Sequence, residues 1–416
     1  MYIKLLIFEI VFFIQIRKIK SNYIKYPFKR VKKGFNEILK NDLEITLEIG
    51  TPPQKMNLNL RSQSYTFFVS GSEVKNSINK FNEKESISCK KENEYPQIYS
   101  GKEYSKGYKI YETLIINGKK INNISLILAS ELNYIESGAI GLKLIDSIES
   151  KNDLSFIYQI KNLVNLNNYS FTLNYFNDDN GEIIIGTYPH SIDKKYSFEN
   201  FIYKQTGNYK SQIDWIFSFD IIQYGNKSLF NHNENNKCLI SIEFGLISAP
   251  EKMRNFFLDY FLNENNCKPN FIENHIIYIC KENVIRNFKK MIFFSKDLKF
   301  EFEFEFDYQD LFIKSDNTSD EYIFSIAFQA DYSYNPIWIL GHTFLKKYQL
   351  TFDLDKKIIG LYSKINYRSF NWRLFLNIFF FIIICILVVY IIKYFKKPRK
   401  IRANELIENI DYISSE

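Results

Sequence analysis

The chain has 416 residues, 46% of them hydrophobic and 17% aromatic, enough for large cores and incompatible with a disordered polymer. Its formal net charge of +7 is concentrated in two runs, 18–33 and KYFKKPRKIR at 393–402; with no Arg/Lys stripe interleaved with aromatics in between, no nucleic-acid partner is expected. The five cysteines form no CxxC, and there is no HExxH, so neither a dedicated metal site nor a cofactor is expected.

In chain order, LLIFEIVFFIQI at 5–16 is an apolar run of signal-peptide length behind Lys4. Residues 1–20 are therefore expected to be a signal peptide, with an uncleaved anchor as the alternative. A basic segment, 21–41, follows. From 42 to 366 the texture is short alternating or apolar runs broken by Gly, Asn, Asp and Pro. LEITLEIG, KIYETLIING, NISLILAS, SFTLNYF and GEIIIGT are followed by WIFSFDIIQYG, CLISIEFG, FEFEFEF, WILGHTF and KYQLTFDLDKKIIGLY. Period-2 runs of this kind predict a mainly β protein. Short helices are expected at 154–164, 250–262 and 341–348.

The two halves repeat an order of parts. Each has an apolar strand entering a polar turn, at 57–64 and 239–248. Each later has an apolar-apolar-Gly strand feeding a short helix, GAIGLKLI at 138–145 and WILGHTFL at 338–345. A duplicated β architecture with a central cleft is expected, with lobes at 42–195 and 196–366. Cys267 and Cys280 flank two strand-like stretches and are placed to close a hairpin; such a disulfide stabilises by about 3 kcal/mol. Cys238 either pairs with the isolated Cys89 or stays free. Sequons at Asn123, Asn168, Asn226 and Asn317 permit N-glycosylation in a secretory compartment.

LFLNIFFFIIICILVVYII at 374–392 carries no charge and would cover about 28 Å as a helix, against ~30 Å of hydrocarbon. The basic residues that follow it predict a cytoplasmic tail, 393–416. The expected topology is a single-pass type I membrane protein with its body luminal or extracellular.

Several ordered motifs resemble those of the pepsin-like aspartic proteases. IGTPPQ at 49–54 is similar to the lead into that family's first catalytic loop, and YETLIING at 111–118 to the strand after its flap. SGAIGLKLI resembles the D-G-I-L-G-L segment, and residues 155–175 the helix and strand that follow it. GEIIIGTYPHSIDKKY is similar to the segment that closes the first lobe. WILGHTFLKKYQLTFDLDKKIIGLY at 338–362 resembles W-I-L-G-D-x-F-x-R-x-Y-x-x-x-F-D. The resemblance implies a bilobal β fold whose two Asp-Thr/Ser-Gly loops share one proton between paired carboxyls and activate water.

Here the first such loop reads Arg61-Ser62-Gln63-Ser64. A guanidinium has five donors, no acceptor and a permanent charge, so it cannot take a proton from water. In the second loop, gapless reading from LISAP at 246–250 puts Ser241 at the acid position. A two-residue deletion would put Glu243 there instead. The family's WILGD aspartate is His342. The resemblance further implies a flap tyrosine near Tyr99, a second-lobe disulfide between Cys267 and Cys280, and a propeptide-like role for 24–35. Together these readings imply an inactive homologue whose cleft binds a peptide or protein. An endopeptidase with an atypical acid and an adhesive or structural ectodomain are the alternatives.

Overall fold

The structure is a computed structural model. It describes residues 22–31, 34–75, 77–92, 97–100, 103–133, 136–145, 154–209, 212–229, 236–262, 267–296, 301–315, 320–330, 337–362, 386–389 and 391–392. Contacts divide the chain into a body, 1–365, and a terminal unit, 366–416. The signal-peptide segment 1–20, Asn317 and the tail 393–416 lie outside the described residues, as does most of 374–392. The described part of that stretch, 386–389 and 391–392, is helical and exposed. Among the described residues no helix is long and apolar enough to cross a membrane.

The body is mainly β, as its alternating runs require. A fourteen-stranded sheet takes its strands from the first half and from the very end of the body; a nine-stranded and a four-stranded sheet take theirs from the second half. Asp42–Ile49 and Gln54–Arg61 pair antiparallel, and their alternation buries Leu43, Ile45, Leu47, Met56, Leu58 and Leu60 on the core side. FEFEFEF becomes the strand Glu301–Phe306, with Phe304 and Phe306 inside and Glu303 and Glu305 on the wetter side. The helices form at Phe156–Val164, Glu251–Tyr260 and, shorter than expected, His342–Leu345.

The basic segment 21–41 contributes an interior strand. Ile24–Val31 pairs on one side with Asn180–Ile185 and on the other with Asp42–Ile49, and it buries Ile24, Tyr26 and Phe28 in the core. A strand with partners on both edges cannot leave without breaking two ladders, so it is unlike a loosely draped cover.

The sheet is closed by residues far along the chain. Thr351–Asp353 pairs with Ser170–Tyr175, and Ile358–Tyr362 with Phe201–Gln205. Between these strands Trp215 packs edge-on against Phe171 and Phe352, with centroids 6.0 and 5.0 Å away. Its indole donates to the Leu142 carbonyl at 2.9 Å, so one side chain ties both halves and the last strands together.

Cys267 and Cys280 face each other across the Cys267–Ile272/His275–Lys281 hairpin and are disulfide-bonded. The alternative pairing of Cys89 with Cys238 does not occur: neither is disulfide-bonded, Cys89 being half-buried and Cys238 buried. Cys238 lies inside the parallel pairing of Asn236–Ile240 with Trp338–Leu340, where its thiol is enclosed by the core.

Candidate functional site: the paired loops 61–66 and 241–246

Two loops are built on the same plan. Gln54–Arg61 runs parallel to Gly138–Gly141 with Arg61 opposite Gly141. Asn236–Ile240 runs parallel to Trp338–Leu340 with Ile240 opposite Leu340, which sets Ser241 against Gly341. Each loop is then clamped by its glycine: Gly141 N donates to Thr66 O and Gly341 N to Leu246 O, both at 3.0 Å. A Cβ on Gly141 would come within 2.2 Å of the Tyr65 carbonyl carbon, and one on Gly341 within 2.2 Å of Phe244 O. Only glycine allows so close an approach. Counted from the residue set against that glycine, the clamp lies five positions further on in each loop (66 − 61 and 246 − 241). Ser241 therefore takes the place of Arg61, Ile242 that of Ser62, and Glu243 that of Gln63.

Arg61 is engaged by an acid that lies outside both loops. Its Nε donates to Glu136 Oε1 at 2.9 Å, and Asn59 Nδ2 donates to the same oxygen at 2.8 Å. The Arg61 side chain is 15% exposed and that of Glu136 1%. Asn59 and Arg61 sit two apart on one strand, so their side chains share the face that meets Glu136. Burial pushes the Glu136 carboxyl up to about 7, and the opposing pull of Arg61 and Asn59 does not restore it. Oε2 of Glu136 is buried and accepts no hydrogen bond among the described residues. Sequence reasoning missed this acid. The available signal was its position directly ahead of SGAIGL, the strand that must lie beside an arginine needing a counter-charge.

Glu243 joins the two loops. Its carboxylate accepts from Ser62 Oγ at 2.6 Å, from Gln63 N at 2.8 Å and from Ser241 Oγ at 3.2 Å. Ser62 Oγ in turn accepts from Ile242 N at 2.9 Å. Ile242 has no hydroxyl with which to return that bond across the pseudo-symmetric pair; the Glu243 carboxylate meets Gln63 N instead. The far side of the second loop is strapped by 39–41: Asn41 N donates to Glu243 O, Gly245 N to Leu39 O, and Asn41 Nδ2 to Ile242 O, at 2.8, 2.8 and 2.7 Å. A cavity of about 280 Å³ opens where these elements meet, with Lys40, Asp42, Arg61, Gln63, Glu243 and Glu273 in its wall.

The arrangement is chemically legible. Activating water with a shared-proton dyad needs two carboxyls facing one solvent site. Arg61 and Ser241 occupy the two positions set against the clamping glycines, Arg61 is ion-paired, and Glu243 already accepts from three donors. Among the described residues no group of three or more His, Cys, Asp and Glu is placed to hold a metal ion.

The remaining singled-out residues lie elsewhere. His342, 1% exposed, packs edge-on to Tyr175 with centroids 5.3 Å apart. Burial, with smaller contributions from Arg30 and Lys346, pushes it down to about 2, so it stays neutral. Tyr99 lies in the strand Gln97–Ser100, opposite Tyr104 of Glu103–Ile116. Asn123 and Asn226 are exposed and Asn168 is half-buried.

The eukaryotic aspartyl protease family model matches residues 44–364. The chain is also similar to Plasmepsin VI of Plasmodium berghei (strain Anka), 26% identical over 347 residues that cover 76% of this chain and 73% of that protein. The matched region contains both loops, both clamping glycines and the strands that carry them. The chain belongs to the eukaryotic aspartyl protease family.

Proposed function

We propose that this chain is a non-hydrolytic member of the family, a pseudoprotease whose cleft binds a peptide or protein ligand without cutting it. In this reading it is held in a membrane by 374–392 as a type I protein, with 393–416 cytoplasmic. The observation that carries the reading is the pair of residues set against the two clamping glycines, a permanent cation at Arg61 and a hydroxyl at Ser241. Neither can share a titratable proton with a partner and pull it from water. Retention of the glycine clamps, the disulfide and the cross-loop hydrogen bonds supports a kept scaffold. The cavity of about 280 Å³ beside the two loops supports ligand binding over a purely adhesive role.

The alternative, an endopeptidase using Glu243, requires that carboxylate to act on water while three protein donors occupy it. Incubating the purified chain with peptide libraries from acid to neutral pH tests both readings. No cleavage is expected. Pepstatin-sensitive hydrolysis that follows the chain through purification would refute the pseudoprotease reading; hydrolysis left unchanged in Glu243→Gln would rule out Glu243 as its acid.

A further inference from the structure

A continuous aromatic cluster surrounds the point where the described body ends. Tyr362, the last described residue of the body, packs on Phe201 with ring centroids 5.1 Å apart. Phe201 continues to Tyr203 at 6.2 Å and to His190 at 5.6 Å, and His190 to Phe198 at 5.2 Å. Phe198 is 72% exposed and Tyr203 44%. His190 is shifted toward its neutral form by burial and by Lys356, so its ring behaves as part of the aromatic surface. Phe201–Gln205 is an edge strand of its sheet, paired only with Ile358–Tyr362 among the described residues. Lys204 of the strand itself turns inward and donates to Ser218 O and Ser295 Oγ; the remaining charges around it nearly balance, Lys194, Lys195, Lys356 and Lys357 against Asp193, Glu199 and Asp355.

Eleven residues, SKINYRSFNWR at 363–373, separate Tyr362 from the apolar run 374–392. Fully extended they reach at most about 38 Å. They carry Tyr367, Phe370 and Trp372, three cations and no acid; Tyr and Trp are the residue types enriched at a membrane–water interface.

We propose that the face formed by Phe198, Phe201, Tyr203 and Tyr362 seats on the headgroup region of the bilayer that anchors the chain, fixing the orientation of the body over the membrane. The proposal rests on the membrane-anchoring part of the functional reading above. Tyrosine, with an apolar body and a polar tip, partitions to this zone, as Tyr203 would, and the exposed Phe198 ring adds apolar area beside it. A short tether keeps the face at high effective concentration there, so a weak intrinsic affinity suffices. The near balance of charge makes the contact aromatic rather than electrostatic.

The test uses the full chain reconstituted in phosphatidylcholine nanodiscs, with photo-reactive p-benzoylphenylalanine replacing Phe198 or Tyr203. Phe271, 68% exposed on the Cys267–Ile272/His275–Lys281 hairpin, serves as the control position. Lipid adducts at 198 and 203 are expected in about tenfold excess over 271, since seating one ring is worth roughly a factor of ten, and the excess should persist at high salt. Absence of that excess, its loss at high salt, or adducts joining two copies through the edge strand would each overturn the proposal. Alkaline extraction separates the layers of the argument. Release of the chain from membranes refutes the anchor itself, whereas retention without lipid adducts refutes only the seating.

Discussion

Replacing Glu136 by glutamine isolates one buried charge. Glu136 is 5% exposed, and its carboxyl is pushed up to about 7 from the ordinary 4.5 by burial, against the pull of Arg61. The folded state therefore holds this proton more tightly than the unfolded state does. Its contribution to stability is largest below the ordinary carboxylate range and is lost as pH rises toward about 7. The linkage relation gives a cost near 1 kcal/mol at about pH 5 and about 3 kcal/mol at about pH 7.5. Glutamine keeps an acceptor for Arg61 and Asn59 and does not titrate. Relative to wild type, Glu136→Gln should therefore gain about 2 kcal/mol between those two pH values, whatever its offset at the lower one. Urea unfolding followed by the fluorescence of the buried Trp215 and Trp338 would register this as a relative midpoint shift of about 0.7 M at a slope of roughly 3 kcal/mol/M. Other titrating groups cancel in the difference. A difference that stays flat across the window would refute the reasoning. It would mean that the guanidinium outweighs burial and holds Glu136 ionised at no cost.

Two further outcomes follow from the packing. Glu243→Ala leaves Ser62, Gln63 N and Ser241 without their shared acceptor, and should destabilise by about 2–4 kcal/mol while speeding hydrogen exchange at the Gln63 amide; unchanged exchange there would show that the Ile242–Ser62 and Gln63–Ile240 bonds hold the loops without it. Phe28→Ala should cost about 3–5 kcal/mol, because the ring is buried, stacks edge-on to Tyr175 at 5.0 Å and fills the space over Gly181; a loss below about 1 kcal/mol in thermal melts would indicate that 24–31 is a dispensable cover.

How far the sequence could be read depended on how local each signal was. Strands such as Asp42–Ile49 and Glu301–Phe306 were legible because period-2 burial is written residue by residue. The Cys267–Cys280 bridge was legible because a hairpin brings its ends together. The arginine at 61 was visible, but its partner was not: Glu136 lies 75 residues away and approaches only once Gly138–Gly141 lies beside Gln54–Arg61. The role of Glu243 was hidden for a similar reason. Reading it as a displaced acid or as a residue at the glycine position depended on a register that the chain leaves open. The clamps at Gly141 and Gly341 close it by fixing equal loop lengths. The segment 24–35 resembles a basic propeptide, and within it the charged residues of 24–31 alternate with apolar ones. That same alternation is what an interior strand needs when one side is wet.

The closing strands at 351–362 set an order on biosynthesis. Until they emerge from the ribosome, Ser170–Tyr175 has one bare margin, Phe201–Gln205 has no strand neighbour among the described residues, and Trp215 lacks Phe352. A nascent or prematurely terminated product would display a ready template for unrelated strands, so release of the last dozen body residues is the step that makes the molecule safe from self-association.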